Sequence, residues 1–298
     1  MLWLIGCARS LAVLGLLLGA PAATVTAEGL EVVAILDQAP GNVAILPDGR
    51  TILSLHPFFE PRERVVELHE DGSTSPFPNA WWATAPDDSG IGLQGVLGVR
   101  GDAKGRLWML DYAAEVPRLV VWDTGADRLE RFVPIPPPAI RPGSFLNDLA
   151  VDLLHDAVYI ADLGGDRGPA LIVVDLLTGF SRRVLEDHPS VQAEDVPLAL
   201  EGRTVMVTQG DGAQDELRVG VNPITIDPSF TWVYWGPMNG TSLWRVRARD
   251  LADATLDGDA LAARVERYGD KPVSDGISIA TAGNVYVTAL ASSGIGVT

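Results

Sequence analysis

Three side chains that could bind a small polar ligand or a hard cation recur at one position of a repeated strand pattern. Asn147, Asn222 and Asp275 each stand four residues before an apolar anchor residue in consecutive copies of that pattern. Amide and carboxylate oxygens favour Ca²⁺ or Mg²⁺ over softer metals. A cation there would polarise a carbonyl group or activate water, and Asp275 would move a proton. The alternative is that each residue only caps its strand and satisfies backbone groups in a turn.

The repeat predicts how these residues are positioned. Each copy joins an alternating apolar run, a polar turn and a second run rich in Val, Ile, Trp and Tyr, which is typical of two paired antiparallel strands. The five anchors, one of them after a longer interval, are Ile45, Val99, Val151, Ile226 and Ile279. A period of about fifty residues built from short strands predicts a β-propeller. With the anchors on the innermost strands, the three polar residues converge at one mouth of the central channel, beside Asp148 and Gln94.

Outer strands are predicted behind the first three copies, at residues 62–78, 118–135 and 170–186. Each copy is therefore expected to be a four-stranded blade. The long interval contains an insertion, His188 to Gly220, which fits either a functional loop over one face or a plain hairpin extension. Glu28 to Leu36 is predicted as a strand, and Asp259 to Gly269 is the best helix candidate.

The fifth copy shows its first two strands and then the sequence ASSGIGVT, and the given sequence stops where a third strand would begin, so the outer strands of this copy are expected to be absent. An open ring would leave sheet edges unpaired. Two interpretations follow: the N-terminal strand closes a five-bladed ring, or the protein is a six-bladed propeller whose last blade is missing from this chain.

The first 27 residues predict an export signal. Arg9 is their only charge, Leu11 to Ala20 is an apolar core, and Val25 to Ala27 offers small residues for cleavage. Cleavage after Ala27 would leave residues 28–298 as one propeller domain in a secreted or periplasmic protein. An uncleaved anchor and lipid attachment at Cys7 are the alternatives.

Composition excludes several classes of function. Cys7 is the only cysteine, so the processed chain has no disulfide and no thiolate for catalysis. The formal net charge of −17 repels phosphate backbones and anionic lipids, which argues against nucleic-acid partners and, after signal removal, membrane partners. The segment Gly90 to Gly95 matches a dinucleotide-binding fingerprint, but a strand follows it where a helix is needed.

Six motifs connect the chain to a known family: VLGVRGDAKGRLWMLD, FLNDLAVD, YIADLGG, RRVLEDHPSV, VNPITIDPSFTWVYWGP and KPVSDGISI. Through them the chain resembles, from about Trp81 to Thr298, the bacterial relatives of the major royal jelly and yellow proteins, a group related to dopachrome tautomerase. The resemblance implies an all-β, six-bladed propeller that is exported, with its last blade missing from this chain. It also makes a tautomerase-like activity one option.

The polar trio is similar to the metal site of gluconolactonases and senescence-marker lactonases, a neighbouring propeller family. That site takes an Asn followed by Asp, an Asn, and an Asp followed by Gly, matched here by Asn147-Asp148, Asn222 and Asp275-Gly276. The resemblance implies a divalent cation held by Asn147, Asn222 and Asp275. The lactonases add a Glu from the first blade, where this chain has Gly41-Asn42.

Three hypotheses follow. The first is an exported propeller of the royal jelly and yellow type that binds a small molecule at the channel mouth through Gln94, Asn147, Asp148, Asn222 and Asp275. The second is a metal-dependent lactone hydrolase in which Ca²⁺ or another divalent cation binds the trio and Asp275 serves as base. The third is a non-catalytic interaction scaffold, which would leave the mouth without a converging polar set.

Overall fold

The structure, a computed structural model, describes residues 31 to 298 except residues 87, 89, 209 and 211. The predicted signal peptide, residues 1–27, lies outside the described residues. Regular structure in the described part is almost entirely β, with two five-residue helices, α1 (Ala248–Ala252) and α2 (Gly258–Ala262). None of the described helices has the length and hydropathy needed to cross a membrane.

Five antiparallel sheets follow one another along the chain, and each is one blade of a propeller. Blade 1 contains β1 (Pro40–Ile45), β2 (Thr51–Leu55), β3 (Val65–Leu68) and β4 (Thr74–Pro76). Blade 2 contains β5 (Val96–Gly101), β6 (Arg106–Asp111), β7 (Arg118–Asp123) and β8 (Arg128–Pro134). Blade 3 contains β9 (Leu146–Asp152), β10 (Ala157–Asp162), β11 (Ala170–Asp175) and β12 (Ser181–Val184). The all-β propeller prediction is confirmed.

The insertion and the last two blades complete the chain. The insertion forms two hairpins, β13 (Ala199–Leu200) with β14 (Arg203–Thr204) and β15 (Met206–Thr208) with β16 (Gln214–Glu216). Blade 4 contains β17 (Val221–Ile226), β18 (Trp232–Pro237), β19 (Ser242–Arg247) and β20 (Glu266–Asp270). Blade 5 contains β21 (Ile277–Ile279), β22 (Val285–Ala289) and β23 (Gly294–Val297).

The hydrophobic core lies between neighbouring blades. Successive side chains of a strand point to opposite faces, and a middle strand is covered on both. Val158 and Ile160 of β10 therefore pack towards blade 2, while Tyr159 packs towards Trp235 of blade 4. This two-sided burial explains why the inner and middle strands appear in sequence as nearly continuous apolar runs.

The inner strands β1, β5, β9, β17 and β21 contact one another in that order around the central channel. In the part of the chain that the structure describes, β21 and β1 are not in comparable contact. Five blades are therefore established, and the count of six remains a prediction.

Three local predictions are corrected. Gly294–Val297 pairs with β22, so the fifth copy does have a third strand, which its two glycines concealed because glycine has low strand propensity. Residues 31–36, the described part of the predicted N-terminal strand, form no strand. Residues 266–270 form β20 instead of the end of a helix, because they complete blade 4 beside β19.

The insertion packs at the mouth end of the channel. Its apolar residues Leu198, Leu217 and Val219 contact Met238 and Leu290, which directly follow the second strands of blades 4 and 5. Second strands end where inner strands begin, since the two are antiparallel. The insertion is thus part of the mouth wall.

Candidate functional site

The inner strands of blades 2, 3 and 4 each contain a β-bulge, and the three bulges lie at the same level of the propeller. In each case two residues of the inner strand face one residue of the second strand. The bulged pairs are Leu97 with Gly98, Asn147 with Asp148, and Asn222 with Pro223. A bulge breaks the strict alternation of side chains. Two consecutive polar residues of blade 3 can therefore both serve the channel.

The three predicted residues form a line of hydrogen bonds across blades 3, 4 and 5. Asn147 Nδ2 donates to Asn222 Oδ1, and Asn222 Nδ2 donates to Asp275 Oδ1 at 2.7 Å. Asn222 is fully buried, whereas Asn147 and Asp275 are half-buried. No donor among the described residues reaches Asn147 Oδ1 or Asp275 Oδ2. The line therefore ends on two acceptor oxygens that a ligand can use.

Asp275 is an acid suited to proton exchange near neutral pH. Burial raises its pKa to about 6, the negative charge of Asp148 adds to this rise, and the hydrogen bond from Asn222 opposes it. The Thr288 hydroxyl holds the loop, because it accepts from the backbone N–H groups of Asp275 and Gly276, each at 2.9 Å. A perturbed acid on a fixed backbone is typical of ligand and catalytic sites.

A second hydrogen-bond network, which the sequence did not indicate, lies next to the trio on the side away from the channel mouth. Arg100 Nη1 donates to Asn42 Oδ1 at 2.9 Å, and Arg100 Nη2 donates to Asp148 Oδ2 at 2.6 Å. Asn42 Nδ2 completes a closed triangle by donating to Asp148 Oδ1 at 2.9 Å. Burial raises the pKa of Asp148, and the Arg100 guanidinium beside it opposes the rise.

Arg100 was missed because the second copy of the repeat was aligned two residues too early. The pair that closes the first hairpin is Ile45 with Thr51, and the corresponding pair in blade 2 is Gly101 with Leu107. Gly101, not Val99, is therefore the anchor of blade 2. The Gly-Arg dipeptide that follows both turns, Gly49-Arg50 and Gly105-Arg106, could have revealed this equivalence.

The same correction moves Gln94 away from the trio. Its backbone N–H donates to Asp111 Oδ1 at 3.0 Å, and its carbonyl accepts from Arg64 Nε at 3.0 Å. The Gln94 side chain is exposed. Hydrogen bonds join Asn147, Asn222 and Asp275, and Asp148 lies near enough to Asp275 to raise its pKa, whereas the described residues show no contact of the Gln94 side chain with this group.

The mouth of the channel contains a shallow, largely apolar cavity of about 210 Å³, lined by Phe58, Phe145, Leu163, Gly164, Arg218 and Val219. Phe145 lies two residues before Asn147, and Val219 lies three residues before Asn222. The cavity therefore lies above the polar trio, on the outer side of the channel.

Comparison with known proteins identifies the family. The family model of the major royal jelly protein matches residues 94–298. The chain belongs to the major royal jelly protein family. No match was found among curated protein sequences.

Solved structures show the same architecture in proteins of distant sequence. A putative gluconolactonase superposes with a TM-score of 0.50 at 12% identity, over 85% of this chain and 72% of that one. A chain of the nidogen/laminin complex superposes with a TM-score of 0.51 at 13% identity, over 86% of this chain and 73% of that one. At such identities the likeness shows the fold alone.

The residues of this royal jelly family member do not fit the divalent cation that the lactonase resemblance implies. Ca²⁺ takes six to eight oxygen ligands. The trio offers one carboxylate, that of Asp275, and Asn222 Oδ1 already accepts a hydrogen bond. Both oxygens of Asp148 are bound by Arg100 and Asn42. No group of three or more His, Cys, Asp or Glu side chains within the described residues is arranged to hold a metal.

Proposed function

We propose that this royal jelly family propeller binds a small polar molecule at the mouth of its channel through Asn147, Asn222 and Asp275. The observation that carries the proposal is the line of hydrogen bonds ending on two acceptor oxygens, Asn147 Oδ1 and Asp275 Oδ2. Polar groups that converge in a concavity under an apolar rim are the usual form of a ligand site. A purely structural scaffold needs no such arrangement.

The free atoms indicate the chemistry of the ligand. Both are acceptors, so the ligand must donate hydrogen bonds from hydroxyl or amino groups. The charge of Asp148 is balanced by Arg100, whereas no Lys, Arg or His side chain of the described residues forms an ion pair with Asp275. The apolar cavity around Phe58 and Phe145 would receive the non-polar part of the same molecule.

The test is a calorimetric and thermal-shift screen of small hydroxyl- and amino-bearing compounds at pH 7.5. Asp275→Asn should weaken binding of any hit at least tenfold, because it removes the charged acceptor and keeps its size. Asp259→Asn, which changes an exposed acid on α2, is the matched control and should bind normally. Hits that bind Asp275→Asn as tightly as the wild type would refute the site.

The metal-dependent lactone hydrolase is the second candidate, and the convergence of Asn147, Asn222 and Asp275 is the observation that favours it. The donor set argues against a tightly held cation, so we expect no hydrolysis. Assay of a lactone panel with and without millimolar Ca²⁺ decides. Hydrolysis that requires Ca²⁺ and is lost in Asp275→Asn would establish the lactonase.

Export to the periplasm or the cell exterior is also part of the proposal, supported by the apolar, nearly uncharged leader. The net charge of −17 supports an absence of nucleic-acid and membrane partners. Expression in a bacterial host followed by N-terminal sequencing tests export, and a mature protein should begin at Glu28.

We propose a six-bladed architecture for the same protein. The exposed apolar side chains of Val43 and Ile45 on β1, and of Ile295 and Val297 on β23, support it, because a further blade between blades 5 and 1 would cover such faces. A crystal structure of the exported protein would count the blades.

A further inference from the structure

We infer that Arg100 is a cation built into the channel, which takes the charge-balancing place of a metal ion and makes the ligand site independent of divalent cations. The inference rests on the proposed function only for the location of the site. Cation binding is measured without any organic ligand, so the two proposals can fail separately.

The first argument is the reach of the guanidinium. From blade 2, it donates to a blade 1 side chain, Asn42, and to a blade 3 side chain, Asp148. It also approaches the backbone carbonyl of Ile224 in blade 4 at 3.4 Å. One side chain thus connects the inner strands of four blades, as a bound ion at the centre of a propeller would.

The second argument is the saturation of Asp148. The Asp148 side chain is only 5% exposed, and the Arg100 side chain is 22% exposed. Besides Arg100 and Asn42, the backbone N–H of Leu149 donates to Asp148 Oδ1 at 2.8 Å, and the N–H of Ile224 is a further donor. Each oxygen of this buried carboxylate therefore already accepts at least one hydrogen bond, and Arg100 supplies its ion-pair partner.

The third argument is the position of Arg100 relative to the trio. Asn147 and Asn222 are the second residues of their strands, and Arg100 is the fifth residue of β5. Each residue of a strand advances about 3.3 Å. Arg100 therefore starts deeper in the channel, and its guanidinium forms a floor beneath the open acceptors of Asn147 and Asp275.

Removing the guanidinium should uncover the cation site that it replaces. The carboxylates of Asp148 and Asp275 would then be joined by the amide oxygens of Asn42 and Asn147, because Asn222 Oδ1 still accepts from Asn147. Two carboxylates with two amide oxygens form a hard, oxygen-rich set of the kind that Ca²⁺ prefers. Replacing Arg100 with a neutral residue also leaves the buried Asp148 carboxylate without its ion-pair partner. Such a change is strongly destabilising unless another cation binds.

The experiment titrates Ca²⁺ into the full chain at pH 7.5 and follows heat release and the unfolding temperature. Wild type should show no response in millimolar Ca²⁺. Arg100→Gln should unfold at a lower temperature than wild type, recover part of that loss with Ca²⁺, and bind Ca²⁺ at least tenfold more tightly. Arg100→Lys keeps the positive charge and should resemble wild type, as should Arg249→Gln, a control on an exposed arginine.

Three results would overturn the inference. A Ca²⁺-dependent stabilisation of wild type that disappears in Asp275→Asn would show that a metal site coexists with Arg100. An Arg100→Gln protein that neither binds Ca²⁺ nor is stabilised by it would show that no cation position was uncovered. An Arg100→Lys protein that gains Ca²⁺ binding as Arg100→Gln does would show that the resident charge is not what excludes the metal.

Discussion

The carboxylates at the ends of the second strands are fully buried, those in the channel range from the buried Asp148 to the half-buried Asp275, and the groups that surround them differ. Asp162, the last residue of β10, is fully buried, and its Oδ1 accepts from the N–H groups of Phe145 at 2.8 Å and Gly164 at 3.0 Å. Its Oδ2 pairs with the buried Arg183. Asp111, the last residue of β6, is held in the same way by backbone N–H groups and Arg118. In the channel, the carboxylate of Asp275 accepts from one donor of the described residues, the neutral amide of Asn222.

The comparison shows that burial does not mark a functional acid. A buried carboxylate that has backbone donors and an arginine is a structural cap, since both of its oxygens already accept hydrogen bonds and its charge is balanced. A carboxylate in a concavity with one neutral donor retains the capacity to bind something else. By this criterion Asp148, although in the channel, belongs with the structural caps, and Asp275 is the exception.

The largest expected effect on stability is at Asp162, the last residue of β10. Asp162→Ala removes the buried carboxylate partner of Arg183 and leaves the N–H groups of Phe145 and Gly164 without an acceptor, so the free energy of unfolding should fall by about 3–5 kcal/mol. Urea denaturation followed by tryptophan fluorescence measures it. Glu186→Gln changes a more exposed partner of the same arginine and should have a much smaller effect. A loss below about 1 kcal/mol for Asp162→Ala would remove the distinction between the two groups of acids.

Asp148→Asn tests whether a channel acid can behave as a structural cap. It keeps the size of the side chain but breaks the ion pair with Arg100, and the free energy of unfolding should fall by about 2–3 kcal/mol. The same urea experiment applies. If stability is unchanged, the Arg100 network does not hold the four blades together.

Asp275→Asn should raise the free energy of unfolding near neutral pH, whereas Asp162→Ala and Asp148→Asn lower it. The pKa of Asp275 rises from 3.8 to about 6 on folding, so its protonated form favours the folded state and that contribution is lost as pH rises from about 4 to about 6. Above pH 6 the variant should be more stable than wild type, on the order of 1 kcal/mol after allowance for partial solvation. Below pH 4 the two proteins should be equally stable. A constant difference from pH 4 to pH 8 would contradict the assignment.

The smallest expected effect concerns the hydroxyl that positions Asp275. Thr288→Val removes the acceptor of two backbone N–H groups while keeping the shape of the side chain, which should cost about 1 kcal/mol and weaken ligand binding. Thr288→Ser should restore both properties. If Thr288→Ser behaves like Thr288→Val, the methyl group and not the hydroxyl holds the loop.

Local pattern was sufficient for most of the fold. Asn147, Asn222 and Asp275 could be placed at one level because each lies a fixed distance from its own hairpin turn, and hairpin pairing is a local property of the chain. Blade 2 was aligned incorrectly because a shift of two residues leaves every side chain on its original face, so alternation cannot detect it. Strands β20 and β23 were missed because their residues have weak strand preference, and pairing with a neighbouring strand decides their conformation.

By itself the sequence determined the repeated blade and the level at which three polar residues lie, because both depend on contacts within one hairpin, and its motifs determined the family. Only the tertiary structure decided which carboxylate is free. Arg100 meets Asp148 at a separation of 48 residues, and Asn42 at a separation of 58 residues. The repeat within a blade cannot predict such pairs, because each joins residues of two different blades. Packing around the channel places the Arg100 guanidinium beside Asp148 and leaves Asp275 with the Asn222 amide, and that difference makes one acid structural and the other available to a ligand.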